Sequence, residues 1–460
     1  MSIMPPDEAA FEIGFPLVVV GGGAAGMVAA LRARQSGVEV LVIERDALPR
    51  GSTALSAGLI PAAGTRWQAS AGVEDSPARF AADIQHKAHD TADATLVDLV
   101  SREIGPTLEW LHDAHGLDFS LVTDFRYPGH TALRMHGLPS RSGQEVIDRL
   151  HAAAEAAGVE IICNARVISL VGSAQGITGV EIERPDGSRE RIGCDALVLA
   201  CNGYGGNKAM VAAHIPQMAD ALYFGHPGNQ GDALLWGAAL GAETRHLSGH
   251  QGHGSVAHPA GILITWATIT EGGFQVNGTG ERFSNEAAGY SEQGATVLAQ
   301  PGGVAWTVFD SRIAAIARQF EDFRQAEATG AILAADSIAD LAGRCGLPAD
   351  VLAATHVAVG KLKETGAKDA FGRDFTGVPQ LQAPYRAVRV TGALFHTQGG
   401  LAVDDKARVR LAAGGVVPNL FAAGGAACGV SGPEASGYLS GNGLLTAVAL
   451  GSIAGRSAGA

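Results

Sequence analysis

The chain has 460 residues, with 33 Lys or Arg against 46 Asp or Glu, which gives a formal net charge of −13 at pH 7. An acidic chain without a basic block lacks the electrostatic surface that binding to nucleic acid or to anionic membranes requires. Because 47% of the residues are hydrophobic and only 17% are charged, we expect a large folded core and exclude a disordered chain.

The sequence shows no membrane-spanning segment, no secretion signal and no paired cysteine motif. No apolar run reaches the roughly 18 residues that a membrane span needs, and the first residues lack the basic and apolar regions of a secretion signal. The five cysteines are scattered and none forms a CxxC pair, so no disulfide framework or zinc ribbon is expected. These features predict a cytoplasmic protein. The 63 glycines cluster in loops, where the backbone can approach a ligand closely.

The first predicted elements form a strand–turn–helix–strand unit. Residues 15–20 (FPLVVV) read as a buried strand, residues 21–26 (GGGAAG) as a glycine turn, and residues 27–36 as a helix. Residues 38–43 (VEVLVI) then read as a second strand, which ends at Glu44. A glycine turn alone is a weak signal, but the complete unit with its terminal acid is typical of dinucleotide binding.

Each part of this unit has a physical role. Gly21 permits the tight turn, Gly23 lets backbone amides approach a diphosphate, and Gly26 allows close packing of the helix on the strand. The helix N-terminus attracts the phosphate charge. Glu44 lies 18 residues after Gly26 and can accept hydrogen bonds from ribose hydroxyls.

The rest of the chain predicts an α/β fold in which a segment is inserted into a nucleotide-binding domain. The predicted helices after the first unit cover residues 94–115, 144–157, 310–321, 337–345 and 443–454. The predicted strands cover residues 160–163, 166–171, 177–183 and 196–200. The composition changes between residues 226 and 374, so we expect one domain from residues 1–225 and 375–460 and a second from 226–374.

Several separated motifs, in this order, resemble the fumarate reductase / succinate dehydrogenase flavoprotein superfamily, which includes the 3-ketosteroid dehydrogenases. The resemblance covers nearly the whole chain. The motifs are the glycine turn with Glu44 and residues 51–58, 197–206, 228–242, 280–286, 395–400, 420–424 and 440–445. It implies a Rossmann-like FAD-binding domain built from both termini and an inserted α+β capping domain.

The resemblance also implies which residues contact FAD. The matching positions are Gly21, Gly23, Ala25, Gly26, Glu44, Ser52, Thr53, Ser56, Ala57, Gly58, Val167, Gly203, Asp232, Gly424, Leu444 and Leu445. Members that attach FAD covalently have a histidine in the segment 52–56, and this chain has none there, so we expect noncovalent FAD. Gly425 replaces a glutamate that is frequent in the family, which removes one expected ribityl contact.

The positions that match substrate contacts in the family are His250, Thr265, His396 and Thr397, and Arg134 and His136 lie in a loop that leads toward the site in relatives. The family's proton-donating arginine, five residues after the Asn of the RFxNE motif, is Tyr290 here. A second family arginine corresponds to Tyr438, and the Glu and Arg of the proton relay correspond to Trp266 and Ile269. A dicarboxylate therefore loses its counter-charges.

In having a tyrosine at position 290, the chain resembles the 3-ketosteroid dehydrogenases. We expect an FAD-dependent enzyme that acts on a carbon–carbon bond next to a carbonyl, with Tyr290, His396 and Tyr438 as the catalytic residues. A phenol can exchange a proton with carbon beside a ketone, and hydride passes to FAD. One alternative is a di- or tricarboxylate dehydrogenase, in which the lost arginines are replaced by Arg134, His136, His250 and His396. The other is a flavin-binding protein without catalysis.

Two further expectations concern partners and metals. The chain has no haem or iron–sulfur motif, so the proposed electron partner is an external carrier or acceptor. The spacing of His246, His250 and His253 is compatible with zinc, but the segment is rich in glycine and has no acidic ligand nearby. We therefore expect this segment to line a pocket and expect no metal.

Overall fold

The computed structural model describes residues 2–6 and 10–460, which divide into two compact units. The first unit comprises the described residues up to His214, then Gly225–His250 and His396–Ala460, and the second comprises Ile215–Phe224 and Gln251–Phe395. None of the helices in the described ranges is both long and apolar enough to cross a bilayer.

The boundaries of these units differ from the predicted insertion over residues 226–374. On the N-terminal side, Ile215–Phe224 already belongs to the second unit, where Leu222–Tyr223 pairs with the strand Tyr385–Thr397. The chain then returns to the first unit, where Thr244–Arg245 pairs with Gly400–Leu401. The C-terminal boundary moves later, because most of the strand Tyr385–Thr397 pairs with Val304–Asp310 in the second unit. Strand pairing, which the composition does not report, decides both boundaries.

The first unit is built on a parallel sheet. Its five parallel strands, in spatial order, are Glu160–Ile162, Val40–Ile43, Ile13–Val20, Arg189–Leu199 and Val416–Ala422. Leu199 is in register with both Val20 and Ala422, so these strands end at the same level. The loops that follow these carboxyl ends are where ligands bind in sheets of this kind.

Other strands extend this sheet or form small sheets in the same unit. Ser2–Met4, Arg166–Ser173 and Gly176–Glu183 continue the sheet beyond Arg189–Leu199, and Arg408–Arg410 pairs with Val416–Ala422. A separate three-stranded sheet contains Ile60–Pro61, Ser120–Leu121 and Met135–Gly137.

The helices of the first unit are Ala24–Gln35, Arg66–Ser70, Pro77–Lys87, Ala94–His115, Gly143–Ala156, Lys208–His214, Asp232–Leu240 and Asn442–Ala458. The first helix, Ala24–Gln35, packs along the last helix, Asn442–Ala458. A Cβ atom on Gly451 would lie 2.5 Å from the Ala25 carbonyl oxygen, so the absence of a side chain permits this close contact.

The second unit has a mixed sheet covered by helices. The main strands, in spatial order, are Ile262–Leu263, His250–Ala257, Tyr385–Thr397, Val304–Asp310 and Phe274–Val276, and Leu222–Tyr223 and Ile332–Ala335 also pair with Tyr385–Thr397. The helices are Ala267–Thr270, Tyr290–Leu298, Ser311–Ala317, Glu321–Ala328, Ile338–Cys345 and Ala349–Thr365. Phe274, Phe309, Phe323 and Phe375 are fully buried in a core of its own.

The predicted α/β class is confirmed, and most elements lie where the sequence places them. The helix predicted over residues 94–115 is found with those bounds, because Asp93 caps its first amides and Gly116 ends it at φ 69°. The helix predicted over residues 310–321 is wrong. Asp310 ends a strand and caps a short helix that stops at Ala317, and a second helix begins at Glu321.

Candidate active site

The first glycine turn joins the strand Ile13–Val20 to the first helix. Gly21 has φ 107°, and a Cβ atom there would lie 2.5 Å from the Ala200 carbonyl oxygen. A Cβ atom on Gly26 would overlap the Gly21 carbonyl oxygen. The residue before the helix, Gly23, has no side chain that could cap its N-terminus, and the first turn has no acidic residue. This turn therefore fits the diphosphate of a dinucleotide, which approaches backbone amides closely.

Glu44, at the end of the second parallel strand, is held in a fixed orientation. Its Oε2 accepts a hydrogen bond from the Gly22 amide at 2.8 Å, and its Oε1 accepts one from the Asp46 amide at 2.9 Å. Burial raises the pKa of the carboxyl group, and the two amides partly oppose this rise. The first glycine turn and the Asp46 amide therefore hold the Glu44 side chain in place. A fixed carboxylate at this point is what the predicted ribose contact requires.

The segment 51–58 also packs against this turn. Thr53 Oγ1 accepts a hydrogen bond from the Ala24 amide at 3.0 Å, and Ser52 Oγ accepts one from Asn229 Nδ2 at 2.9 Å. Ser56 Oγ donates to the Thr53 carbonyl oxygen at 2.7 Å. The other predicted FAD positions, which also belong to the first unit, are Ala57, Gly58, Val167, Gly203, Asp232, Gly424, Leu444 and Leu445.

We expect Glu44→Gln to weaken FAD binding about tenfold, because hydrogen bonds to a charged acceptor are worth ~1.5–3 kcal/mol. The amide of glutamine would place an N–H group against one of the two backbone N–H groups that now donate to Glu44. The dissociation constant is measured by titrating flavin fluorescence with apoprotein. Glu39→Gln, at an exposed position nearby, should leave it unchanged. Equal affinities for the two variants would contradict this role.

A cluster of uncharged polar rings lies at the start of the last helix. The His396 and Tyr438 rings meet edge to face, with centroids 5.4 Å apart. A Cβ atom on Gly443 would lie 2.9 Å from His396 Nε2, so this nitrogen packs against the first turn of the helix. His250 is close enough to influence His396 electrostatically, and its Nδ1 lies 2.8 Å from the Ser248 carbonyl oxygen.

Burial keeps this cluster neutral. It lowers the pKa of His396 to about 4, and the pKa of His250 is lowered in the same way. Burial raises the pKa of Tyr438 to about 12, although the Gly443 and Gly441 backbones partly oppose the shift. At neutral pH the cluster therefore offers hydrogen-bonding groups without a cation that could bind a carboxylate.

Tyr290 lies in an aromatic cluster of the second unit. It is the first residue of the helix Tyr290–Leu298 and stacks on His253, with centroids 5.1 Å apart. Trp266 contacts both rings edge to face, and Phe395 packs on His253 at 5.4 Å. Burial lowers the pKa of His253 to about 3. His253 therefore adds no charge to this cluster around neutral pH.

In the histidine segment, the His253 ring is engaged by protein neighbours. His253 Nδ1 accepts a hydrogen bond from the Ser255 amide at 3.1 Å, and its ring is covered by aromatic neighbours. Among the residues that the structure describes, no group of three or more His, Cys, Asp or Glu side chains could hold a metal ion.

The structure argues against substrate contacts by Arg134 and His136. The Arg134 side chain is fully buried and forms a double hydrogen bond with Asp75, at 2.7 and 2.9 Å, and an ion pair with Asp83. His136 is also fully buried and bonds through Nε2 to Thr65 Oγ1 at 2.9 Å. Their hydrogen bonds lie within the fold, so neither side chain is presented to a ligand.

The two predicted threonines also bond to nearby backbone. Thr397 Oγ1 lies against Gly203 and within 3.4 Å of the Tyr204 amide, and the residue is 2% exposed. Thr265 Oγ1 accepts a hydrogen bond from the Ala267 amide at 3.3 Å, at the start of a short helix. Both hydroxyl groups therefore stabilise turns, and their predicted substrate contacts gain no support from this geometry.

Sequence reasoning missed a hydrogen-bond chain behind His396. Gln398, Ser431 and Asn442 are all buried and connect His396 Nδ1 to the last helix. The only sequence signal is the position of Gln398 directly after the His396-Thr397 pair. Ser431 lies in a glycine-rich loop and Asn442 begins the last helix, and the spacing of the two residues does not indicate a common function.

Comparisons with known proteins agree with this architecture. A family model described as "FAD binding domain" matches residues 17–444. The chain is 31% identical to the "Probable fumarate reductase Ifc3" of Shewanella frigidimarina (strain NCIMB 400) over 447 residues, which cover 96% of this chain and 74% of that protein.

Two solved structures extend the comparison. A flavocytochrome c3 fumarate reductase in its open conformation superposes with TM-score 0.84 and 30% identity, covering 99% of this chain and 79% of that one. The 3-ketosteroid-Δ4-(5α)-dehydrogenase from Rhodococcus jostii RHA1, in complex with 4-androstene-3,17-dione, gives TM-score 0.78 at 24% identity and 98% coverage of both chains, which shows a shared fold. The chain therefore belongs to the FAD binding domain family and is an FAD-dependent oxidoreductase related to fumarate reductases.

Proposed function

We propose that the protein transfers two hydrogens across a carbon–carbon bond next to the carbonyl of a neutral ketone, as a dehydrogenase or in the reverse ene reduction. The observation that carries this proposal is the neutral cluster at the last helix, where Tyr438 has replaced a family arginine beside an uncharged His396. A dicarboxylate would lack a counter-charge in this cluster, whereas a ketone oxygen needs only hydrogen-bond donors.

The proposed chemistry divides the work between cofactor and side chains. Bound FAD would supply the acceptor for the hydride that leaves the β-carbon. His396 and Tyr438 donate hydrogen bonds to the ketone oxygen, which stabilises the negative charge that develops there as the α-carbon loses its proton. The residue at the position of the family's proton donor, Tyr290, is on that sequence match our candidate to take this proton in the oxidation and to return it in the reverse reduction. An external electron carrier or acceptor completes the reaction cycle.

The second unit supports an uncharged, ring-shaped substrate. The aromatic rings of Tyr290, His253 and Trp266 pack against one another. Flat aromatic surfaces contact hydrocarbon rings favourably, and the neutral His253 adds no charge that would require an ionic substrate. A cyclic ketone is therefore the substrate class that we favour.

A second candidate is a dicarboxylate, because the chain is 31% identical to a protein named a probable fumarate reductase. That function needs cations for two carboxylates. Arg134 is engaged by Asp75 and Asp83, and the neutral histidines supply no positive charge. The ketone remains our proposal because it needs none of these charges.

Anaerobic reduction of bound FAD distinguishes these functions. Purified holoprotein is mixed with cyclohexanone or with succinate. Reduction of the flavin is followed as a loss of its absorbance at about 450 nm. We expect bleaching by the ketone, and release of the flavin on denaturation because no histidine occupies segment 52–56. Bleaching by succinate alone would overturn the ketone proposal. Flavin that no substrate reduces would favour the function without catalysis.

A further inference from the structure

A continuous hydrogen-bond chain reaches His396 from the last helix. Gln398 Nε2 lies 3.1 Å from His396 Nδ1, and Gln398 Oε1 lies 2.7 Å from Ser431 Oγ. Ser431 Oγ in turn lies 3.0 Å from Asn442 Nδ2. These three residues are at most 5% exposed, so water does not compete for the bonds.

The chemistry of each group gives the chain a direction. The Asn442 amide nitrogen only donates, so Ser431 accepts from it and sends its own proton to Gln398 Oε1. Gln398 Nε2 then donates to His396 Nδ1. A neutral imidazole that accepts at Nδ1 carries its proton on Nε2.

The reverse direction is less favourable for two reasons. In the described part of the chain, Asn442 Oδ1 is buried without a hydrogen-bond partner. Exchanging the positions of Asn442 Oδ1 and Nδ2 would put an NH₂ group with two unpaired donors where Oδ1 is now buried. Buried donors without an acceptor are costly. The other contact of His396 Nδ1, with the Thr397 carbonyl oxygen, is longer at 3.4 Å.

We propose that Gln398 is a positioning residue that holds His396 with its proton on Nε2, and that Ser431 and Asn442 fix the orientation of Gln398. His396 Nε2 packs against Gly443, at the N-terminus of the last helix. A proton on this nitrogen makes a neutral imidazole a hydrogen-bond donor, which can polarise a carbonyl group. This inference rests on the proposed function for its consequence, but the tautomer itself does not depend on any substrate.

The direct test is nitrogen NMR of holoprotein labelled with ¹⁵N-histidine. The His396 signals are identified as those that disappear in His396→Gln. We expect an unprotonated Nδ1 and a protonated Nε2 at neutral pH in the unmodified protein. In Gln398→Glu the carboxylate only accepts, so Nδ1 must carry a proton. A protonated Nδ1 in the unmodified protein, or an unchanged assignment in Gln398→Glu, would overturn the proposal.

The pH profile of kcat/KM adds a kinetic readout. His250 and Tyr438 are titratable side chains that lie near His396 in the described part of the chain, and both remain in the variant. In Gln398→Glu the new carboxylate favours the imidazolium, which loses its Nε2 proton as the pH rises. We expect kcat/KM to fall about 10²-fold across this titration, whereas the unmodified protein shows no such limb. A loss that is independent of pH would indicate a purely structural role and overturn the proposal.

Two variants serve as controls. Gln319→Glu makes the same chemical change at an exposed position and should leave the pH profile as it is. Gln398→Met removes the donor without adding charge, so both tautomers should appear in the NMR spectrum, and a single unchanged tautomer would contradict the role of Gln398. If the tautomers behave as expected but ketones fail to bleach the flavin, the proposed function fails and the positioning role stands.

Discussion

Replacement of Tyr290 by phenylalanine is expected to lower kcat with a ketone substrate by about 10²-fold or more, because general acid–base groups contribute 10²–10⁴-fold to the rate. The substitution removes only the hydroxyl group, so the stacking of this ring on His253 should remain. The rate constant for flavin reduction is measured by anaerobic stopped-flow absorbance, which isolates this step from reoxidation.

Tyr385→Phe is the matched control. Tyr385 lies in the same unit, at the start of the strand Tyr385–Thr397, and its ring packs against His356 at 5.2 Å. Loss of its hydroxyl should leave the rate constant unchanged. A near-normal rate in Tyr290→Phe would remove this residue from proton transfer.

Replacement of Arg134 by methionine is expected to lower the free energy of unfolding by about 3–5 kcal/mol, because it leaves buried carboxylates without their partner. Asp75 and Asp83 are the two carboxylates, with side-chain exposures of 0% and 9%. Urea denaturation, followed by circular dichroism, measures the change. Arg126→Met, at an exposed position, should have little effect. A stable Arg134→Met protein with a raised KM for succinate would instead support the dicarboxylate function.

The same ion cluster should make stability depend on pH. Burial opposes ionisation of Asp83, but the hydrogen bond from Arg134 and those from Thr131 outweigh it, so the pKa of Asp83 is lowered. A carboxyl group with a lower pKa in the folded state contributes stability above its unfolded pKa, near 3.9, and this contribution is lost as the pH falls through the folded value. In Arg134→Met, the free energy of unfolding should fall less as the pH is lowered than it does in the unmodified protein. An unchanged dependence on pH would contradict the role of the Arg134–Asp83 ion pair.

Local signals account for the parts of the fold that the sequence predicts well. The strand before the first glycine turn is apolar throughout, and Val18 and Val19 are fully buried. Asp93 and Gly116 mark both ends of the long helix between them. Where no such marker exists, the prediction fails, as at the break between Ala317 and Glu321, which contains neither glycine nor proline.

The site is harder to predict because its contacts join distant parts of the chain. Motif positions located the His396 and Tyr438 pair, whose rings meet in the first unit. The partners of Arg134 lie more than 50 residues earlier in the chain, and nothing in their local sequence indicates an ion pair. The chain through Gln398 and Ser431 likewise depends on tertiary packing.

The most direct test of the central claim, that phenols in place of arginines favour a neutral ketone, is equilibrium binding to oxidised holoprotein. The holoprotein is titrated with cyclohexanone and with succinate at low and high salt, and binding is measured as a change in the flavin absorbance. We predict that the ketone binds more tightly and that its affinity does not depend on salt, because no ion pair forms. Tighter binding of succinate that weakens as salt is added would contradict the claim.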